Sequence, residues 1–310
     1  MFFIGHILWL IYFNSTLKKT FIMLSKNFSL IIDKMKKILI TGANGQLGKS
    51  FSRMHKKEYD ILSLNRDQLD ITKKSEISKA IESFKPDIIL NCAAMTDVDS
   101  AELNPKIAKK INADSIKKIL ELFDGLFVHI STDYVFDGKN GPFKEDAITN
   151  PINMYGKSKL YGEEIVKDYA KDWIIVRTNV LFDIESKASF LSWVINSLKK
   201  NKKINVVNDQ INNPVFTDDL SSIIHLLISK NMRGIYHVGS DTLCSRYEFA
   251  KIIGDVWNLD INNIIPINTS DLKKHTKSYI ANRPINSGLS SKFDLPTISL
   301  RKSLEKIKNQ

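Results

Sequence analysis

From Lys36 onward, apolar positions gather into short β-rich runs separated by longer stretches with helical spacing. That alternation is what a parallel sheet with crossover helices requires. Strands are predicted over 37–41, 60–64, 87–91, 126–131 and 173–177. Ile38, Leu39 and Ile40 are consecutive apolar residues, the mark of a strand covered by helices on both faces. Helices are predicted over 45–55, 74–84, 105–122 and 157–169. After about Asn179 the alternation weakens into helices at 189–200, 218–229 and 246–257 and a strand at 234–238. The fold class is therefore α/β: a doubly wound parallel (Rossmann) sheet over 35–180, with a smaller interleaved C-terminal lobe over 181–310. That lobe is expected to bind substrate and to return some segments to the sheet. No internal repeat and no Gly/Ser linker divides the chain.

The first 34 residues break the pattern. Residues 1–13 (MFFIGHILWLIYF) are almost wholly apolar, but a membrane span needs about 20 such residues. A secretory signal needs a basic start and a small-residue cleavage site, which are absent here. Met35 stands directly before KKILITGANGQLG. The expectation is a fold that starts near Met35, with 1–34 as an extension outside it, from an upstream start or as a weak surface anchor.

Composition narrows the function classes. With 310 residues, 43% apolar and 25% charged, the chain sits near globular averages, which argues against a disordered tail, a collagen-like fibre or a polytopic membrane protein. A net charge of +11 raises the question of nucleic acid. Only seven of the 45 basic residues are Arg, and the lysines are scattered in pairs such as Lys73/Lys74, Lys109/Lys110 and Lys117/Lys118. They read as solvated helix faces, compatible with a small phosphorylated substrate and not with base recognition. Cys92 and Cys244 lie far apart without a CxxC, so neither a disulfide framework nor a metal site is expected. Free thiols point to a reducing, cytoplasmic setting. His129, inside an apolar run, reads as core packing.

Two constellations carry chemistry. Gly42-x-x-Gly45-x-x-Gly48 lies between the first predicted strand and helix, where the glycines allow a sharp turn, backbone approach to a pyrophosphate, and close helix–strand packing. In the same loop, Asn44, Gln46 and Leu47 complete a dinucleotide-binding segment. At the tip of the second strand Arg66 stands where a carboxylate would mark a bare ribose, which favours NADP over NAD. Asp70 is placed near the adenine or as the N-cap of the next helix. The second constellation is Ser131-Thr132 at a strand end, followed by Tyr155-Gly-Lys-Ser-Lys159. Tyr and Lys at i, i+4 share a helix face, so an ammonium is expected to lower the phenol's pKa while Thr132 holds the same carbonyl oxygen. Arg is scarce in this chain, so Arg283, with Arg246, is the candidate cationic donor for an anionic ligand.

The chain resembles an extended short-chain dehydrogenase/reductase and, within that superfamily, is similar to the dTDP-4-dehydrorhamnose reductase family. The resemblance runs from Met35 to the C-terminus and rests on TGANGQLG (41–48), LDIT (69–72), KPDIILNCAAMTDVDSAE (85–102), STDYVFDG (131–138), NPINMYGKSKLYGE (150–163), VRTNVLF (176–182) and RPINSGL (283–289). It implies Thr132, Tyr155 and Lys159 as the catalytic trio. Asp133, Tyr134 and Thr96 would face the sugar, and Asn91, Ala93 and Ala94 the nicotinamide ribose. The implied reaction is NADPH- or NADH-dependent reduction of the 4-keto group of a dTDP-6-deoxy-hexulose, in the dTDP-rhamnose pathway, and the resemblance admits a homodimer. One departure bears on the sugar: the family commonly has Trp where this chain has Val180 after Arg177-Thr178-Asn179. A second reading is a non-catalytic NADP-binding regulatory subunit similar to the methionine adenosyltransferase beta subunit; a third is a redox sensor, disfavoured by the polar segment 281–289.

Overall fold

Six strands flanked by helices form the centre of the computed structural model, which describes residues 35–185, 189–276 and 279–310. They are β1 (Lys37–Thr41), β2 (Asp60–Leu64), β3 (Ile88–Asn91), β4 (Leu126–Thr132), β5 (Asp172–Thr178) and β6 (Gly234–Val238). All pair in parallel, in the order β2-β1-β3-β4-β5-β6. The strand order reverses between β1 and β3, and in such sheets the crevice at the carboxyl ends of those strands is where ligands lie. The expected extension 1–34 lies outside the described residues.

Because side chains alternate along a strand, the sheet feeds two cores. Ile38, Ile40, Leu90, Val128 and Val176 pack under α1 (Gln46–His55) and a later helix that spans Thr217–Ser229. Leu39, Ile89, Phe127 and Ile175 pack on the other side. That side is covered by α2 (Lys74–Phe84) and, beyond α3 (Val98–Leu103) and α4 (Pro105–Lys109), by α5 (Ser115–Leu120) and α6 (Met154–Tyr169). A third core joins Leu191, Val194 and Leu198 of α7 (Phe190–Lys199) to residues of two later helices. With the Thr217–Ser229 helix as α8, these are α9 (Arg246–Val256), which gives Phe249 and Ile253, and, beyond α10 (Thr269–His275), α11 (Leu300–Lys308), which gives Leu300 and Leu304. Thus α8 and β6 of the second half belong to the sheet layers, while α7, α9 and α11 build the separate core.

Two departures from the sequence pattern shape the site. The stretch expected as one helix over 105–122 is broken by a π-helical turn at Lys110–Asp114. The turn places buried Asn112 where its amide accepts from Met95 N (2.8 Å) and donates to Met95 O (3.1 Å) and Ser158 Oγ (2.9 Å). One side chain thus ties the segment after β3 to α6, a use of π turns seen at functional sites. α6 begins at Met154, three residues earlier than predicted, because Asn153 caps it by accepting from Gly156 N (2.8 Å). Tyr155 therefore sits in the first helical turn, one turn from Lys159.

Candidate active site

The turn after β1 is built around glycine for two separate reasons. Gly42 has φ +67°, and a Cβ there would lie 2.7 Å from the Ala93 backbone; a Cβ on Gly48 would lie 2.8 Å from Ala43 Cα. Any side chain would push the loop off β3 or the helix off the loop. Gly45 is the N-cap of α1 and offers no capping side chain, so the first N–H groups of the helix remain directed at whatever lies in front of them. What lies there is a groove of two adjoining cavities, about 470 and 700 Å³, which share Asn44, Gly45, Cys92, Ala94 and Thr96.

The smaller cavity is lined by Gln46, Leu47 and Gly48 on one side and Thr132, Tyr155 and Lys159 on the other. The larger is lined by Gly42, Arg66, Asp70 and Ala93. The structure thus brings the expected glycine loop, Arg66 and the Thr–Tyr–Lys trio onto one groove. Asp70 does not cap the next helix. Its carboxylate accepts from Thr72 N (2.9 Å) and Thr72 Oγ1 (2.8 Å), bonds that hold it below the usual carboxylate range, while Lys73 occupies the N-cap position of α2. Asn91 lines neither cavity. Its side chain is buried in the sheet, where Oδ1 accepts from Thr41 Oγ1 (2.6 Å).

At the strand end, the Thr132 hydroxyl accepts from Tyr134 N (3.2 Å) and donates to Asp133 Oδ1 (3.0 Å), which orients it. Burial pushes the Asp133 carboxyl up to about 6, against the hydrogen bonds from Ser287 and Thr132 and the charge of Arg246. Its titration is thereby brought closer to neutrality than that of an ordinary carboxyl. Tyr134 sets its ring edge-on to Tyr155, with centroids 5.8 Å apart.

The expected effect of Lys159 on Tyr155 needs correction. The ammonium is drawn to the strand, donating to Ile130 O (2.6 Å) and facing His129 Nε2 at 3.5 Å. Burial pushes the Lys159 amine down to about 8, opposed by Glu163 and Cys92. Burial also pushes the Tyr155 phenol above its ordinary value, with Thr132 as the opposing hydrogen-bond partner. Helical spacing put the two residues on one face, but the carbonyl edge of β4 decided where the ammonium points.

The segment 283–289 closes over this edge. Ser287 Oγ donates to Asp133 Oδ2, and Asn286 N donates to Gly138 O (3.0 Å). Arg283 makes a bidentate pair with Asp99 (2.9 Å each) and also donates to Ala281 O. Arg246 has no ion pair among the described residues; its guanidinium lies 5.4 Å over the Phe190 ring, and Asp133 and Tyr134 act on it electrostatically. Pattern reading missed the buried Arg177–Glu163 pair. Its one signal was a guanidinium inside an otherwise apolar strand run.

A family model described as RmlD substrate binding domain matches residues 35–306. The chain belongs to the dTDP-4-dehydrorhamnose reductase family. It is 35% identical over 269 residues to the dTDP-4-dehydrorhamnose reductase of Aggregatibacter actinomycetemcomitans, covering 82% of this chain and 90% of that protein. The crystal structure of a dTDP-4-dehydrorhamnose reductase from Bacillus anthracis in complex with NADP superposes with a TM-score of 0.83 at 34% identity, covering 89% of this chain and 99% of that one. Methionine adenosyltransferase 2 subunit beta of Xenopus laevis is also related, at 28% identity over 75% of each chain. The Aggregatibacter reductase thus matches at higher identity and over more of this chain than that subunit beta.

Proposed function

We propose that this chain is an NADPH-dependent reductase of the 4-keto group of dTDP-4-dehydrorhamnose, yielding dTDP-L-rhamnose. The observation that carries the reading is the convergence of Thr132, Tyr155 and Lys159 on the cavity that the glycine loop opens. The groove also fits a dinucleotide. Gln46 Oε1, Thr178 Oγ1 and Asn179 Oδ1 are buried with no hydrogen-bond partner, and all three residues line the smaller cavity. Buried polar atoms cost about 1–3 kcal/mol each when unpaired, so three on residues that line one cavity favour a polar ligand there. The α1 N-terminus would meet the pyrophosphate, and Ala93 and Ala94 leave room for the ribose.

Bound there, the dinucleotide supplies the hydride. Tyr155 supplies the proton to the ketone oxygen, Thr132 Oγ1 donates a second hydrogen bond to it, and Lys159 is the ammonium that recharges the phenol. Thr96, Asp133 and Tyr134 border the sugar. The lobe built on α7, α9 and α11 closes the substrate side, and two free thiols fit a cytoplasmic setting. Among the described residues no helix is long and apolar enough to cross a membrane. NADPH oxidation followed at 340 nm with dTDP-4-keto-6-deoxy sugars tests the reading: turnover is expected, and its absence with intact NADPH binding leaves the regulatory-subunit alternative.

Arg66 is exposed at the larger cavity, where it can pair with a 2′-phosphate. Charged hydrogen bonds of this kind are worth about 1.5–3 kcal/mol, so NADPH should bind more tightly than NADH by about 10- to 100-fold. Arg66→Ala should remove most of that preference, as read by fluorescence titration of both cofactors. A preference unchanged by the substitution would return Arg66 to the role of a solvated strand-end charge.

For the diphosphate of the sugar nucleotide the structure favours Arg246 over Arg283. Arg283 is engaged by Asp99, whereas Arg246 lies beside Asp133 and Tyr134 without an ion-pair partner among the described residues. Arg246→Met should raise KM for the nucleotide sugar by about 10-fold or more, by loss of a charged contact, and leave NADPH affinity close to wild type. An unchanged sugar KM would place the phosphate contacts on other groups.

A further inference from the structure

Parallel strands covered on both faces are expected to carry apolar side chains. Under α6, however, Thr41, Asn91 and His129 are aligned partners on β1, β3 and β4, and all three are buried. Their hydrogen bonds run in one direction. Ala93 N donates to Thr41 Oγ1 (3.3 Å), and the Thr41 hydroxyl donates to Asn91 Oδ1 (2.6 Å). With Oδ1 committed, the Asn91 amide turns Nδ2 toward His129 Nδ1 at 3.3 Å. That nitrogen is then an acceptor, which puts the proton of a neutral imidazole on Nε2. The imidazole is neutral because burial and the nearby Lys159 charge both hold it well below its usual pKa. Nε2 lies 3.5 Å from Lys159 Nζ. Gly162 lets α6 lie close to the π-helical turn on this side, since a Cβ there would collide with Asn112 O.

We propose that Thr41 and Asn91 lock His129 in its Nε2–H tautomer and that His129 is thereby a positioning residue for Lys159, favouring the lysine state that has given up a proton. An ammonium beside an N–H donor gains nothing on that side and turns to Ile130 O, as observed (2.6 Å). A neutral amine accepts from the same N–H. The inference rests on the reading of Lys159 given above, in which phenolate plus ammonium becomes phenol plus amine and the amine then takes a proton from water. The other titratable groups that act on Lys159 are Glu163 on α6 and Cys92 after β3, and Tyr155 on α6 lines the same cavity; Ser131 on β4 and Arg177 on β5 reach Glu163. Glu163 favours the charged lysine, so the imidazole N–H and burial act against it.

Thr41→Val tests the lock from two residues away, with little change of shape. Without the hydroxyl, Asn91 can flip and offer Oδ1 to His129; the ring proton then moves to Nδ1, and Nε2 accepts from the ammonium. In the full chain without added substrate, histidine 15N NMR should report Nε2–H at His129 in the wild type and in Thr41→Ser, and Nδ1–H in Thr41→Val. The Lys159 titration, followed by its 13Cε shift, should move up by about one pH unit in Thr41→Val and stay in place in Thr41→Ser. The alkaline limb of kcat for keto-sugar reduction should move with it. Thr41→Ala serves if the valine variant does not fold. A charged or Nδ1–H imidazole in the wild type overturns the lock, and a Lys159 titration unmoved by loss of the hydroxyl overturns the positioning role. Both NMR readouts are independent of turnover, so an absent reductase activity is distinguished from an absent lock.

Discussion

Tyr155→Phe should lower kcat by about 10² or more, the scale of a lost general acid, while NADPH binding stays close to wild type. The phenol lies on the cavity with Thr132 and Lys159, and burial keeps it protonated, so its chemistry at neutral pH is that of a donor. The ring remains in the phenylalanine variant, and with it the packing against Tyr134 at 5.8 Å. A loss of kcat without loss of folding or of cofactor affinity is therefore specific to the hydroxyl. Steady-state kinetics, cofactor titration and a thermal melt on the same preparation check it. Turnover equal to wild type would remove Tyr155 from the mechanism.

The largest effect on stability is expected at Glu163. Its carboxylate takes a bidentate pair from Arg177 (Nε to Oε1 2.9 Å, Nη2 to Oε2 2.7 Å) and a third bond from Ser131 Oγ (2.5 Å). The two side chains are 0% and 2% exposed. Arg177 continues to Glu145 O at 3.4 Å, faces His237 Nε2 at 3.3 Å and stacks on Phe136, so the pair joins α6, β4, β5 and β6. Glu163→Ala leaves a guanidinium buried without its carboxylate, a situation that costs about 3–5 kcal/mol. For a chain of this size that lowers Tm by about 10 °C. The double variant Glu163→Leu with Arg177→Met should lose less than Glu163→Ala alone, because no buried charge is stranded. Equal or larger losses in the double variant would show that shape, not charge, dominates the site. Glu163 also favours the charged form of Lys159, so its removal should depress the Lys159 titration further, opposite in sign to Thr41→Val.

Residue order alone was enough for the elements that depend on local periodicity and backbone sterics. The apolar run Ile38–Leu39–Ile40 declared a doubly covered strand, and β1 is buried on both faces. The glycines at 42 and 48 were legible because their need is local: a turn with positive φ and a helix packed against its own preceding loop. Tyr155 and Lys159 were legible because helical spacing is a property of one element.

What only the tertiary structure decided involves partners remote in sequence. The direction of the Lys159 ammonium is set by Ile130 and His129, about 30 residues away. The fate of Arg283 was decided by Asp99, 184 residues distant. His129, read from its apolar neighbours as packing, is fully buried; only the register of β1, β3 and β4 shows that it ends a polar row at the lysine. Periodicity records which face a residue occupies. It carries no information on which strand lies beside it, and buried charges and hydrogen bonds are settled by that neighbour.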